Sequence, residues 1–407
     1  MFSFMRANLP WLAAGGILTF LSSFGQTFFI SIFAAQIQEA FSLSHGAWGG
    51  IYTLGTGASA LVMIWAGGLT DHYRVRRLGP VILALLCAAC LFMALNPAVA
   101  LLPLVIFALR LTGQGMTGHI AIVAMSRWFN ANRGKALSIA TLGFSIGESL
   151  LPIGFVALML FFDWRLLWLL AGLITLAGIP ALIALLRNER TPKAIAESSS
   201  LPGMDNLHWS RWRALSHPLF WLMIPALLGP SAFNTAFFFH QVHFAGVKEV
   251  SHLHLVALFP AYTLFSVVWM ILSGWALDRL GTKRLLPYYQ LPMVAAFVMF
   301  SLAESTSGIV IGLLFLAMTT GGNATLPNAF WAEFYGTKHL GAIKALAAAV
   351  MVLGSAIGPG ITGLGIDLGI GIEMQYLFVA AYFLLCTACM GVGIYLFGRR
   401  APAASRA

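Results

Sequence analysis

Charged residues are scarce in this chain. Asp, Glu, Lys and Arg together make up 9% of its 407 residues, whereas 59% of the residues are hydrophobic, and the mean hydropathy is +0.87. A soluble domain of this length cannot hide so much apolar surface behind so few charges. The composition therefore excludes a soluble fold and predicts that most of the surface faces lipid.

Other features are also missing. The four cysteines form two pairs at i, i+3, Cys87 with Cys90 and Cys386 with Cys389, a spacing that favours helix packing over a disulfide, metal or redox role. The sequence has no G-x-x-x-x-G-K-S/T loop for a nucleotide and no recognisable set of nucleophile and base. We therefore expect no enzyme activity, no cofactor and no metal, and a driving force that comes from a gradient.

Long apolar runs take the place of these features. A membrane-spanning helix needs about 20 apolar residues, and twelve segments meet this need, at 10–34, 46–69, 79–97, 99–126, 136–161, 164–187, 218–243, 253–277, 285–303, 306–331, 340–365 and 374–397. A polar segment with serines and prolines follows the sixth. We predict an all-α integral membrane protein with twelve transmembrane helices in two pseudo-symmetric six-helix lobes, 1–187 and 218–407, joined by a cytoplasmic linker at 188–217.

The cations lie almost wholly on one side of this predicted topology. Of the 23 Lys and Arg residues, all but three fall on segments that share the side of the amino terminus. The exceptions are Arg165 and Lys248 in outer loops and Arg110 within a span. Because cytoplasmic segments carry the excess of Lys and Arg, both termini are expected in the cytoplasm of a bacterial inner-membrane protein. This distribution also disfavours nucleic-acid binding as the reason for the net charge of +10.

One loop pattern occurs twice, 207 positions apart, as GGLTDHYRVRR from Gly67 and as GWALDRLGTKR from Gly274. With it, the chain resembles the major facilitator superfamily, whose pattern in this loop is G-x-x-x-D-R/K-x-G-x-R/K-R/K. The second copy matches at Gly274, Asp278, Arg279, Gly281, Lys283 and Arg284, and the first matches at Gly67, Asp71, Arg76 and Arg77 but has His72 and Arg74 at the other two positions. The resemblance implies a two-lobed transporter in which these loops act as a latch. The alternative is that their charges only set the topology.

The fourth predicted span carries Arg110-Leu-Thr-Gly113-Gln-Gly115, which resembles the R-x-x-x-G-x-G pattern of the family. The sequence that follows is similar to that of monocarboxylate-porter-like members. In the fifth span, Glu148 stands where antiporters of the family often have proline after a G-x-x-x-G pair. This departure weakens the resemblance to proton-drug antiporters.

Arg110 and Glu148 are the main candidates for transport chemistry, because an ionisable group at the bilayer centre is costly and normally faces a cavity or a partner. Each lies about 12 residues from the near end of its span, which at 1.5 Å per residue places both near mid-depth. We hypothesise that they pair, and that Arg110 binds a substrate carboxylate while Glu148 takes the coupling proton. A permanent structural ion pair is the alternative.

Uncharged polar residues also occur within the spans. In the resembled family, helices 1, 4, 7 and 10 line the cavity, and most of these residues fall on them, although each could instead form a helix-to-helix hydrogen bond. The candidates for substrate or coupling are Gln26, His119, Asn234, His240, Tyr262 and Asn323. Near the outer end of helices 7 and 8, histidines recur at positions 240, 243, 252 and 254, which leaves open metal binding, pH sensing or an ordinary polar loop.

These observations favour a secondary active transporter of a small organic solute that works by rocking-lobe alternating access. A small carboxylate is the favoured substrate because of Arg110, with the proton as candidate coupling ion. The alternatives are proton-coupled efflux of amphipathic or cationic compounds and a membrane sensor on the same scaffold. The expected partners are the solute, the lipid bilayer and protons, the protein being a monomer without nucleic acid.

Overall fold

The computed structural model describes residues 2–129, 133–189, 202–336 and 338–398, and these residues form helices and turns without any β-strand. Helices are the expected form of apolar segments in lipid, because a helix satisfies the hydrogen bonds of its own backbone. Ten helices in the described part of the chain are long and apolar enough to cross a membrane, and a bent pair adds an eleventh span.

The main helices follow one another along the described chain. In the first half of the chain they are α1 (Leu9–Gly25), α2 (Thr27–Phe41), α3 (His45–Ala66), α4 (Val75–Leu95), α5 (Val99–Trp128), α6 (Arg133–Leu158) and α7 (Trp164–Leu185). In the second half they are α8 (Pro218–Phe239), α9 (Gln241–Val247), α10 (His252–Leu280), α11 (Leu291–Leu302), α12 (Thr306–Tyr335), α13 (Leu340–Asp367) and α14 (Ile372–Phe397). Short helices lie at Phe2–Ala7, Leu69–His72, Met204–Asn206, Arg211–Ser216 and Thr282–Leu285.

The predicted all-α membrane fold is confirmed. In the described chain, the ten spans, the bent pair and the shorter apolar helix α11 correspond to the twelve predicted segments, with two differences. The first predicted span is a broken one, because α1 and α2 meet at an angle of 49°. The ninth predicted span, 285–303, begins later in the structure, because the residues before α11 form a turn that contains Pro287. Proline lacks the N–H that a helix interior needs, so a turn is favoured there.

The chain divides into two compact units. Unit 1 contains the described residues up to 189 together with Phe238–Gly246 and Ser251–Phe259. Unit 2 contains the described residues within 202–237, Val247–Val250 and those from Pro260 onward. The end of α8, all of α9 except its last residue, and the start of α10 therefore belong to unit 1, although they lie in the second half of the sequence.

Each unit is a bundle of helices packed in pairs. In unit 1, α7 packs along α4, α6 packs along α1, and α3 packs against α5. In unit 2, α11 packs against α12 and α14. Large apolar side chains remain on the outside, and on α3 they include Leu54, Ile64 and Trp65, which are 66%, 69% and 73% exposed. Lipid accepts such side chains without cost, so these surfaces fit a multi-pass membrane protein.

Candidate functional site

The first span of unit 1 is broken at Gln26, whose backbone is extended with φ −86° and ψ 154°. In a continuous helix the N–H of Phe29 would bond to the carbonyl of Gly25. Here the N–H groups of Phe29 and Ile30 both bond to the carbonyl of Gln26, at 3.2 and 3.0 Å. The break therefore leaves the carbonyl of Gly25 available to a side chain from another helix.

Arg110 on α5 uses this free carbonyl. Its Nη1 donates to the carbonyl of Gly25 at 3.2 Å and to Oγ1 of Thr27 at 3.3 Å, so it contacts the two residues on either side of Gln26. The guanidinium lies over the ring of Tyr52 at 5.4 Å, and the hydroxyl of Tyr52 bonds to that of Thr27 at 2.5 Å. Arg110 is 1% exposed, and within the described part of the chain its Nε has no hydrogen-bond partner.

Two glycines bring α1 and α5 close enough for this contact. A Cβ added to Gly25 would lie 2.2 Å from the carbonyl oxygen of Leu109 and 2.7 Å from Cα of Gly113. A Cβ added to Gly113 would lie 2.6 Å from Cα of Gly25. Around this crossing α5 widens into a π-helix at Arg110–Thr117, a form that recurs at functional sites.

The hypothesised ion pair between Arg110 and Glu148 is not formed among the residues that the structure describes. Within the described chain, the hydrogen bonds and the ring contact of the Arg110 guanidinium go to Gly25, Thr27 and Tyr52. Glu148 is half-buried on α6, directly after Gly147, where an added Cβ would lie 2.1 Å from Oγ of Ser23. Similar depth in the membrane therefore did not mean contact, because the break in the first span supplies the partners of the arginine.

The π-helix also changes where His119 lies. A Cβ added to Gly67, at the end of α3, would lie 3.5 Å from Nε2 of His119. This candidate residue is therefore close to the first copy of the loop pattern.

A second set of polar contacts in unit 1 joins Gln241 of α9 to α2. Nε2 of Gln241 donates to the carbonyl of Phe28 at 3.3 Å and to Oγ of Ser31 at 2.7 Å, and Oγ of Ser31 donates to the carbonyl of Phe238 at 2.7 Å. These bonds tie the segment after α8 to α2. They begin two residues after Gln26 and so extend from the same break that binds Arg110.

Three imidazoles lie beside these bonds. The ring of His45 is 4.4 Å from that of His243 and 6.1 Å from that of His240, and Nδ1 of His45 is 3.2 Å from Nε2 of Gln38. Burial, and then the nearby His45, lower the pKa of His243, which lies beyond the observed end of α8 at Phe239. No group of three or more His, Cys, Asp or Glu residues in the described chain could hold a metal ion.

In unit 2, three of the candidates identified from the sequence meet at one cavity. Asn234 of α8 and Asn323 of α12 line it, and the hydroxyl of Tyr262 is 3.2 Å from that of Thr320 in its wall. The cavity is about 140 Å³ in volume and is lined by Pro230, Ser231, Asn234, Thr235, Met293, Thr319, Thr320 and Asn323.

The two copies of the loop pattern differ in their turns. Gly281 has φ +78°, a conformation that favours glycine. Arg74, at the equivalent position of the first copy, has φ −69° and ψ 146° and begins α4 as its N-cap. An arginine can stand in the first copy because the turn there does not need the left-handed conformation.

The charges of the two copies also have different partners. In the second copy, Nζ of Lys283 is 4.0 Å from the carboxylate of Glu333. The guanidinium of Arg279 lies over the ring of Trp275 at 4.4 Å. Of the other residues that match the pattern, Gly274 is half-buried, and Asp278 and Arg284 are exposed.

In the first copy, the carboxylate of Glu189 accepts the backbone N–H groups of Val75 and Arg76 at 2.9 and 3.2 Å. The Nη1 of Arg76 donates to the carbonyl of Arg187 at 3.0 Å. Asp71 belongs to the short helix Leu69–His72, and Arg77 is exposed. A carboxylate does meet a helix amino terminus here, but it belongs to Glu189, which lies in the segment predicted as the linker and was not among the candidate residues.

Sequence reasoning also missed Gly25, Thr27 and Tyr52 around the arginine and Thr319 in the cavity. Only some of these residues could have been found from the sequence. A tyrosine within an apolar helix is a polar candidate, whereas a free carbonyl is visible only once the helix is seen to break.

Comparisons with known proteins address the identity of this fold. A family model described as the Major Facilitator Superfamily matches residues 15–359, whereas no curated protein matches significantly. Among solved structures, a bacterial homologue of the human lysosomal transporter Spinster is similar in its inward-facing occupied form, with TM-score 0.75 and 15% identity over 97% of this chain and 98% of that one.

The unoccupied form of that homologue gives TM-score 0.73 and 14% identity, again over 97% of this chain and 98% of that one. A variant of the nucleoside transporter NupG gives TM-score 0.72 and 12% identity over 94% of this chain and 99% of that one. The chain therefore has the fold of a multi-pass membrane transporter and is not an enzyme. Since the family model covers most of the sequence, the chain belongs to the Major Facilitator Superfamily.

Proposed function

We propose that the protein is a secondary active transporter of a small carboxylate-type anion, and that Arg110 binds the carboxylate. The observation that carries this proposal is a fully buried guanidinium whose partners are a carbonyl, a hydroxyl and an aromatic ring. Burying a cation without a counter-ion is costly, and no carboxylate among the described side chains pairs with this one. A substrate carboxylate would supply the missing charge.

The hydrogen-bond donors of the arginine, in addition to its charge, support binding of a carboxylate. A guanidinium presents five donors in a planar fork, and Nη1 alone makes the hydrogen bonds to Gly25 and Thr27. Nε has no partner in the described chain. Donors therefore remain for an anion, and a carboxylate matches the fork with two parallel bonds.

The remaining parts of the transport cycle belong to the same proposal. Glu148 is the candidate coupling residue for a proton, which would make the protein a symporter, and the loop patterns that begin at Gly67 and Gly274 are the candidate latches for rocking-lobe alternating access. The lobes are proposed to be 1–187 and 218–407, in a bacterial inner membrane with both termini in the cytoplasm. The named structural neighbours do not narrow the substrate, because at 12% to 15% identity their likeness concerns the fold alone.

A thermal-unfolding panel on the purified full-length protein tests the substrate class. Small carboxylates, sugars, amino acids, nucleosides and cationic drugs are each added, and a ligand at 100 times its dissociation constant should stabilise the protein by about 2.7 kcal/mol. We expect stabilisation by carboxylates. The same compounds are then assayed for gradient-driven uptake in proteoliposomes.

Substitution of the arginine provides the decisive comparison. Arg110→Lys keeps the charge but loses the fork, so the stabilisation by carboxylates should be lost. Arg165→Lys is the matched control, because Arg165 also donates to two backbone carbonyls, those of Ala94 and Asn96, at a different place in unit 1.

Three results would contradict the proposal. Carboxylate binding that persists in Arg110→Ala would remove the arginine from the site. Stabilisation by cationic drugs alone, lost in Glu148→Gln, would instead support proton-coupled efflux, and binding without any solute-coupled flux would support a sensor.

A further inference from the structure

The cavity in unit 2 is lined mainly by uncharged polar residues. Six of its eight lining residues bear a hydroxyl or an amide, and the other two are Pro230 and Met293. Among the described residues, no Asp, Glu, Lys, Arg or His lines it. An ion would therefore find no counter-charge here, whereas an uncharged polar ligand would find both donors and acceptors.

Some of these polar groups have no partner within the part of the chain that the structure describes. Oγ1 of Thr319 has no hydrogen bond, and this residue is 1% exposed. Oδ1 of Asn234, across the cavity on α8, also has none. Nearly all buried polar atoms in proteins are hydrogen-bonded, and an orphan atom costs free energy. Two orphans in the wall of one cavity indicate that something else completes their hydrogen bonds.

Two other residues of the wall, Thr320 and Asn323, already have hydrogen-bond partners. The hydroxyl of Tyr262 bonds to Thr320 at 3.2 Å, and that of Tyr289 donates to Oδ1 of Asn323 at 3.4 Å. These bonds hold the side chains of α12 in place. The orphan atoms of Thr319 and Asn234 thus lie in the same wall as side chains that hydrogen bonds already hold, as in a preformed binding site.

The size of the cavity limits the ligand. Its volume is about 140 Å³, and a cavity of about 150 Å³ accommodates a benzene ring. A group of roughly six heavy atoms therefore fits. We propose that this cavity binds an uncharged, hydroxylated group of the transported solute, so that the substrate class is polyhydroxylated.

This inference rests on the proposed function only in taking the ligand to be the transported solute. Hydroxyl groups suit the cavity because each one both donates and accepts, as do the hydroxyls and amides of the wall. The hydroxylated group can belong to a neutral polyol or to a hydroxylated carboxylate. The experiment distinguishes these two sources.

Three six-carbon probes differ only in their polar groups: gluconate carries a carboxylate and hydroxyls, sorbitol carries hydroxyls alone, and hexanoate carries a carboxylate alone. Equilibrium binding of each is measured on the purified full-length protein. We expect gluconate to bind at least tenfold more tightly than hexanoate. Binding of sorbitol as tight as that of gluconate would identify a neutral polyol as the source.

Two near-isosteric variants test the cavity itself. Thr319→Val and Asn234→Leu remove the orphan polar atoms, and each should weaken gluconate binding roughly tenfold, as expected for the loss of a hydrogen bond. Hexanoate binding should not change, which shows that the variants are folded. Thr175→Val is the control, because Thr175 is fully buried in unit 1 and its hydroxyl bonds to the carbonyl of Ala171 at 2.9 Å.

The outcomes separate this inference from the carboxylate proposal. If gluconate and hexanoate bind equally and neither cavity variant changes gluconate binding, the cavity contains only water and the inference is overturned, while the role of Arg110 stands. If sorbitol and gluconate bind equally, depend on Thr319 and are unaffected by Arg110→Lys, the cavity inference stands and the carboxylate proposal fails. The absence of binding by both hydroxylated probes overturns the inference.

Discussion

Because α1 and α5 cross closely, one methyl group added at the crossing should have a large effect on the stability of the protein. In Gly25→Ala the added Cβ would lie 2.2 Å from the carbonyl oxygen of Leu109, 2.7 Å from Cα of Gly113 and 2.9 Å from the backbone N of Gln114. All three atoms belong to the backbone of α5 and cannot rotate away. The two helices must therefore separate, and the carbonyl that accepts from the arginine must move with them.

Gly16→Ala is the matched control on the same helix, because a Cβ added to Gly16 meets nothing within 4 Å. There the substitution should stabilise by about 0.5 to 1 kcal/mol through the higher helix propensity of alanine. Gly25→Ala should instead destabilise by about 1 to 3 kcal/mol, the usual cost of forcing extra volume into a packed contact. The two substitutions should thus change the free energy of unfolding in opposite directions.

Thermal unfolding of the purified protein, followed by intrinsic tryptophan fluorescence, measures this difference. For a unit of about 200 residues, 1 kcal/mol corresponds to about 2 to 4 °C in Tm, so Gly25→Ala should unfold several degrees below Gly16→Ala. Gly113→Ala should resemble Gly25→Ala, and the double variant should cost less than the sum because both act on one crossing. Equal melting temperatures for Gly25→Ala and Gly16→Ala would refute the close crossing.

Three further predictions concern charged and titratable groups. Because burial and His45 lower the pKa of His243 below its ordinary value of 6.5, stability should be present above pH 6.5 and be lost as the pH falls through the pKa of the folded state, and His243→Gln should flatten this dependence of Tm. Glu189→Gln should lower stability by about 0.5 to 1 kcal/mol, since its carboxylate accepts two N–H groups at the start of α4; an unchanged Tm would argue against this cap. The Nζ of Lys248 forms an ion pair with the carboxylate of Glu373, and the two side chains are 6% and 47% exposed. Glu373→Ala should therefore lower Tm more than Lys248→Met, because only the first change leaves a buried charge unpaired; the reverse order would contradict that reasoning.

The spans could be predicted from the sequence because lipid imposes a simple requirement. Every backbone group must be satisfied inside its own segment, so each long apolar run becomes a helix. The same rule does not reveal where a helix breaks. α1 ends at Gly25, directly before Gln26, without a proline nearby. Other glycines, such as Gly16 and Gly57, lie within continuous helices, so a glycine alone does not mark the break.

The partners of Arg110 show why the site was harder to predict than the fold. Counting residues at 1.5 Å each gives the depth of a side chain, but not the side of the helix from which it leaves. That direction depends on regular turns of 3.6 residues, and the π-helix Arg110–Thr117 breaks this regularity at the arginine itself. The residues after it are rotated relative to a regular helix, so His119 lies by Gly67. Depth was therefore a sound basis for choosing Arg110, whereas its partners follow from two local departures from the α-helix, one on each side of the contact.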